Sequence, residues 1–142
     1  MPSTSGYSST TLAKKLGIKE GYIIRLLNAP INYFQMFPDW PATAKVVKDK
    51  TVKKDFIHFF TTDSKELFAH LPVLKNEIKE AGMIWVSWPK KAAKTKTDVT
   101  EDVIRDFALQ IELVDIKVCA VDEIWSGLKL VIPVAKRDRL KV

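Results

Sequence analysis

Short runs of β-branched and aromatic residues alternate along this chain with longer segments whose apolar positions recur every three or four residues. Residues 22–27, Tyr-Ile-Ile-Arg-Leu-Leu, are broken only by Arg25, as in a strand covered on both faces. Residues 56–60 and 83–88 predict two further buried strands, the second stopped by Pro89. Residues 114–121 and 128–134 predict a last pair. The few residues between them, 122–127, are too short for a parallel crossover, so this pair forms an antiparallel hairpin. Leu67, Phe68, Leu71, Leu74 and Ile78 trace one face of a helix, with Asp63 and Glu66 as its capping box and Gly82 as its end. Pro72 within it predicts a kink or a restart. Val103, Ile104, Phe107, Ala108 and Ile111 mark a second helix, capped by Asp98 with Glu101. Ahead of the first strand, Ser9-Thr10-Thr11 and Gly17 bracket a short helix. The aromatic stretch 31–40 predicts a turn of helix over the sheet edge, and 44–47 a short edge strand.

Strands separated by amphipathic helices imply an α/β domain with a mostly parallel sheet between two helical layers, a three-layer Rossmann-like arrangement. The closing antiparallel hairpin resembles the second half of a class I methyltransferase fold, in which the final strand inserts between its two predecessors. The first half is abbreviated. A single domain over residues 1–142 is expected, with 1–8 and 136–142 as flexible ends.

Composition narrows the setting. At 142 residues, 46% hydrophobic and 28% charged, the chain is long and apolar enough for a real core. No apolar run approaches the roughly 18 residues of a membrane span, and residues 1–6 do not read as a signal peptide. With Cys119 alone, neither an intramolecular disulfide nor a cysteine metal cluster is expected, and a cytoplasmic setting follows. The net charge is +6, with lysines grouped at 45–54 and 90–96 and a basic tail at 136–141. That charge suits an anionic partner or a solvated surface. Nucleic acid ranks below both, since no recognition motif accompanies the lysines.

Chemistry is sparse. A nucleotide-binding fold would place glycines after the first strand, so that backbone N–H groups can approach an anion at a helix N-terminus. Here Asn28-Ala29-Pro30 follows, and Pro30 removes a donor. His58, among phenylalanines, reads as a core histidine, and His70 as an exposed one; neither has metal-ligand spacing. Ser126 lacks a nucleophile elbow. Asp122 and Glu123 point to opposite faces of a strand end and suit turn capping. No catalytic constellation, metal or cofactor is expected.

Three segments carry a resemblance: Leu26-Leu27-Asn28-Ala29-Pro30, Trp85-Val86-Ser87-Trp88-Pro89-Lys90-Lys91, and the stretch from Val118 through Trp125-Ser126-Gly127-Leu128-Lys129. With Gly6-Tyr7-Ser8 and residues 12–17, they are similar to a bacterial family, the domain of unknown function 3052, over about residues 6–134. The resemblance implies a methyltransferase-like fold and no particular reaction.

Ligands of open α/β sheets bind beyond the carboxyl ends of the strands. The candidates there are Asn28, Pro30, Ser87, Trp88, Lys90, Lys91 and Trp125: an amide, two cations and two rings able to stack. The leading expectation is a non-catalytic, methyltransferase-like domain binding a small anionic ligand or a protein partner. A divergent S-adenosylmethionine-dependent methyltransferase is the alternative, and a basic nucleic-acid-associated protein the third.

Overall fold

Six strands form one sheet in the order β2-β1-β3-β4-β6-β5. They are β1 (Ile23–Leu27), β2 (Lys45–Val46), β3 (Lys54–Phe60), β4 (Ile78–Pro89), β5 (Val114–Ala120) and β6 (Trp125–Val131). The structure, a computed structural model, describes residues 10–137. Of the ends expected to be flexible, 1–8 and 138–142 lie outside the described residues. Lys136 closes a 3-10 turn, Val134–Lys136, and Arg137 Nε donates to the Ile132 carbonyl at 3.0 Å.

Strands β1 to β4 pair in parallel, and β6 runs antiparallel to both its neighbours, β4 and β5. The last strand therefore does insert between its two predecessors. Alternation along β3 sends Phe56, His58 and Phe60 to one face and Ile57 and Phe59 to the other, so the sheet needs cover on both. Helices α2 (Ser64–Lys75) and α3 (Glu101–Gln110) bury Leu67, Leu71, Leu74, Ile104 and Ala108 against Ile57, Phe59, Ile84, Val86 and Leu128. On the opposite face, helix α1 (Leu12–Leu16) and the aromatic stretch cover Ile24, Phe56, Phe60, Met83 and Trp85. Each fully buried Leu or Phe contributes about 1.5–3 kcal/mol.

The aromatic stretch holds its place by edge-on ring contacts. Tyr33 lies 5.4 Å from His58 and 5.7 Å from Phe60, ring centre to ring centre, and Phe34 lies 5.2 Å from Trp40. It forms the expected turn, Tyr33–Met36. Thr11 caps α1, and Gly17 closes it in a left-handed conformation. Trp85 then donates its indole N–H to the Leu16 carbonyl at 2.8 Å, tying α1 to the sheet.

Several boundaries differ from the sequence pattern. Helix α2 ends at Lys75 rather than near Gly82, because Ile78, although it continues the apolar stripe, pairs with Lys54 and opens β4. The chain then bulges until Met83 meets Phe56. Gly82 allows that bulge: a Cβ there would lie 2.9 Å from the Lys54 carbonyl oxygen. Pro72 sits in α2 without ending it, one turn short of the C-terminus. Thr100, not Asp98, caps α3, accepting from the Val103 N–H at 3.2 Å. Strand β6 starts at Trp125 rather than Leu128, so Gly127 lies within the strand and buried.

Candidate functional site

Strands β1 and β3 are neighbours whose chains leave to opposite sides, β1 towards β2 and β3 towards β4. Their carboxyl ends form the switch point at which open α/β sheets place ligands. Asn28 leaves β1 with φ of 59°, the left-handed conformation that a glycine would take at this turn. Its amide donates to the Phe60 carbonyl and to Glu66 Oε2, both at 3.1 Å. Thr61, at the end of β3, donates to Glu66 Oε1 at 2.7 Å. Glu66 was expected to reach back in a capping box. Asp63 instead caps α2 alone, accepting from the Lys65 N–H at 2.8 Å. The Glu66 carboxylate is thus held over the switch point by one side chain from each strand end.

Ser87 is not in the crevice. It points to the α1 face, fully buried, with its Oγ 2.8 Å from His58 Nε2, while Tyr33 OH lies 2.9 Å from His58 Nδ1. That chain satisfies the buried imidazole as a core histidine, and burial pushes its pKa down to about 3. Burial likewise pushes the Tyr33 phenol and the half-buried Cys119 thiol up. Ser87 is therefore withdrawn from any ligand. Trp125 also lies on the α1 face, edge-on to Phe60 at 5.1 Å. Asp122 Oδ1 accepts from the Ile124 and Trp125 N–H groups, both at 2.8 Å, the turn-capping role expected of it. Pro30 sits half-buried beside Asn28, and its carbonyl accepts from the Tyr33 N–H at 3.0 Å.

The other three candidates gather. Trp88, Lys90 and Lys91 line a cavity of about 700 Å³ at the carboxyl end of β4, with Thr95, Thr97 and Thr100 opposite. Alternation along β4 puts the half-buried Trp88 on the α2–α3 side, away from Trp125. The loop over the cavity is pinned at both ends. Lys90 N–H donates to the Ile124 carbonyl at 2.7 Å, and Thr97 Oγ1 donates to the Thr62 carbonyl at 2.8 Å. Asp98 accepts from the Ser64 N–H and hydroxyl at 2.7 and 2.6 Å, and those bonds hold its carboxyl below the usual carboxylate range. A smaller hollow of about 400 Å³, reaching from Thr62 and Asp63 to Asp98, shares Thr97 with the larger one.

Glu66 and the three threonines were missed from the sequence. Glu66 had a signal, its spacing from Asp63, but that spacing names a cap and says nothing of Asn28. Thr95 and Thr97 lie in a lysine-rich loop with no periodicity to read, and Thr100 sits at the helix cap that the pattern assigned to Asp98. Among the described residues, no group of three or more His, Cys, Asp or Glu could hold a metal ion, and no helix is long and apolar enough to cross a membrane.

No family model and no curated protein sequence matches this chain. Solved structures do. It is similar to an S-adenosylmethionine-dependent methyltransferase from Aquifex aeolicus, with a TM-score of 0.59 at 15% identity over 86% of this chain and 88% of that one. A magnesium protoporphyrin IX methyltransferase from Synechocystis PCC 6803, with bound S-adenosylmethionine, gives 0.54 at 10% identity over 86% of this chain and 74% of the other. An O-methyltransferase from neocarzinostatin biosynthesis, in complex with S-adenosylmethionine and 2-hydroxy-5-methyl naphthoic acid, gives 0.58 at 11% identity over 80% of this chain. This chain spans about half, 49%, of that protein's length. At these identities the likeness establishes the fold and not the reaction. It still overturns the expectation of a non-catalytic domain. That expectation rested on the missing glycine turn and the lack of an acid, base or nucleophile constellation, whereas the three methyltransferases above share this sheet.

Proposed function

We propose that this chain is a divergent S-adenosylmethionine-dependent methyltransferase whose donor sits at the switch point between β1 and β3. The observation that carries the reading is the Glu66 carboxylate, held there by Asn28 and Thr61 in a sheet of methyltransferase order. A carboxylate offers about four acceptor positions. Two are taken here, leaving acceptors for the ribose hydroxyls or the ammonium group of an adenosyl amino acid.

The residues fit such a donor by side chains rather than by a backbone cradle. Pro30 supplies no N–H, while Asn28 makes the left-handed turn without glycine. Glu66, Asn28 and Thr61 would hold the donor's polar end. When bound, the donor supplies an electrophilic methyl group on a sulfonium sulfur. His58 and Ser87, buried and bonded to each other, take no part in binding it.

Titration calorimetry with S-adenosylmethionine tests this. Micromolar binding that weakens on the order of tenfold in Glu66→Gln is expected, since one charge-assisted hydrogen bond contributes about 1.5–3 kcal/mol. Absence of heat at millimolar donor would sink the proposal. We also infer membership of the bacterial domain of unknown function 3052 family, supported by the Trp85–Lys91 and Trp125–Lys129 motifs, and a cytoplasmic setting, supported by the lone Cys119.

A further inference from the structure

We infer that the cavity at the carboxyl end of β4 is the acceptor site, and that it takes a small planar molecule carrying an anionic group. This rests on the methyltransferase reading, since it places the second substrate one strand along from the donor.

The charges of the cavity are segregated, with the carboxylates gathered on Arg105 and the lysines apart from them. Glu101 and Asp102 lie on its wall, but Arg105 holds both: its NH2 meets Glu101, and its NH1 meets Asp102 Oδ1 at 2.8 Å. Arg105 Nε also donates to Asp115 at 3.0 Å. Lys90 and Lys91 meet no carboxylate among the described residues. The wall therefore presents two ammonium groups without a carboxylate partner, while Glu101 and Asp102 share the single charge of Arg105 with Asp115. An anion placed on the lysine side pairs with those cations, and a cation placed there would be repelled.

Planarity follows from Trp88. Its side chain is half-buried, packs against the α2–α3 core and lines the cavity. Aromatic faces take offset-stacked or edge-on partners at centroid distances of about 4.5–7 Å. The hydroxyl of Thr95 has no partner among the described residues and is available to orient the ligand. The pinned rim matters as well. With Lys90 anchored to Ile124 and Thr97 to Thr62, the cavity exists before a ligand arrives, so little ordering entropy is lost on binding. The smaller hollow shares Thr97 with this cavity and is lined by Thr62, the residue after Thr61.

The experiment uses the full chain without any adenosyl donor, so its outcome is separate from that of the donor titration. Indole-3-acetate, its neutral isostere indole-3-acetamide and orthophosphate are titrated against amide and indole N–H resonances. Indole-3-acetate is expected to shift Trp88, Lys90, Thr95 and Thr97, and to bind at least tenfold more tightly than the amide or orthophosphate. Affinity in Lys90→Gln/Lys91→Gln is expected to fall about tenfold, with the melting temperature unchanged. Equal binding of acid and amide overturns the anion requirement, and equal binding of orthophosphate overturns the planar one. Shifts confined to another surface overturn the site. If S-adenosylmethionine moves the same resonances instead of those of Asn28 and Glu66, the cavity is the donor's and the acceptor assignment falls.

Discussion

Ser87 Oγ lies 2.8 Å from His58 Nε2, with both side chains wholly out of solvent. A neutral imidazole carries one donor and one acceptor nitrogen, and the hydroxyls of Tyr33 and Ser87, each able to donate or accept, satisfy both, while burial disfavours the charged ring. The three side chains come from the aromatic stretch, β3 and β4, and they lock that stretch onto the sheet.

Stability should therefore depend on pH through His58. Its folded pKa is depressed from 6.5 to about 3, so the unfolded chain takes up a proton first as pH falls. Above pH 6.5 neither state is protonated there and the contribution is flat. Between pH 6.5 and about 3 the folded state loses stability at about 1.4 kcal/mol per pH unit from this group. Urea denaturation at pH 7 and pH 5, for the wild type and His58→Gln, measures it. The wild type should lose more than the variant, and parallel curves would refute the account.

Glu77 sits between two cations in the same manner. Arg25 NH1 lies 2.6 Å from both its oxygens, and the buried Lys54 Nζ lies 3.1 Å from Oε1 and donates also to the Asp49 carbonyl. Burial alone would raise the Glu77 pKa, but the bonds from Arg25 and Lys54 outweigh it and hold the carboxyl below its usual range. Glu77→Gln leaves Lys54 charged without a counter-ion. A loss of about 3–5 kcal/mol is expected in denaturant midpoints, larger than for Lys79→Gln at the exposed Asp55 pair.

Gly127 is tight against the core. A Cβ would stand 3.0 Å from Trp85 Cε3 and 3.2 Å from Val121 Cγ2. Gly127→Ala should destabilise by about 1–3 kcal/mol through displaced packing. Near-ultraviolet circular dichroism should show the disturbed indole of Trp85, and an unchanged spectrum with unchanged stability would contradict the packing described.

Asn28 separates backbone from side chain. Asn28→Gly keeps the left-handed turn and should alter the melting temperature little, yet it frees the Glu66 carboxylate and should weaken the adenosyl donor severalfold. Asn28→Val forces a β-branched residue to φ of 59° and should lower stability by about 1–2 kcal/mol. Thermal melts and donor titration of the two variants distinguish the effects.

Much of the scaffold was legible because burial on both faces leaves nearly unbroken apolar runs, as in β1 and β3, and because the span between β5 and β6 is too short for a crossover. The misread boundaries share a cause. Ile78 fits a helical stripe as well as a strand, and only its pairing with Lys54 decides between them. Gly127 reads as a turn residue until Trp85 occupies the space beside it. That Trp88, Lys90 and Lys91 line one cavity could be anticipated because Trp88 ends a predicted strand and the two lysines come just after it. The burial of Ser87 could not, since one step of strand alternation turned it inward.

Local pattern alone determined that this chain builds a layered sheet with a closing hairpin, because alternation, helical spacing and short connections act between near neighbours. Only the tertiary structure decided where charge meets the switch point. Asn28, Thr61 and Glu66 stand on three elements, and a carboxylate's role depends on which donors surround it, a relation that sequence distance does not encode.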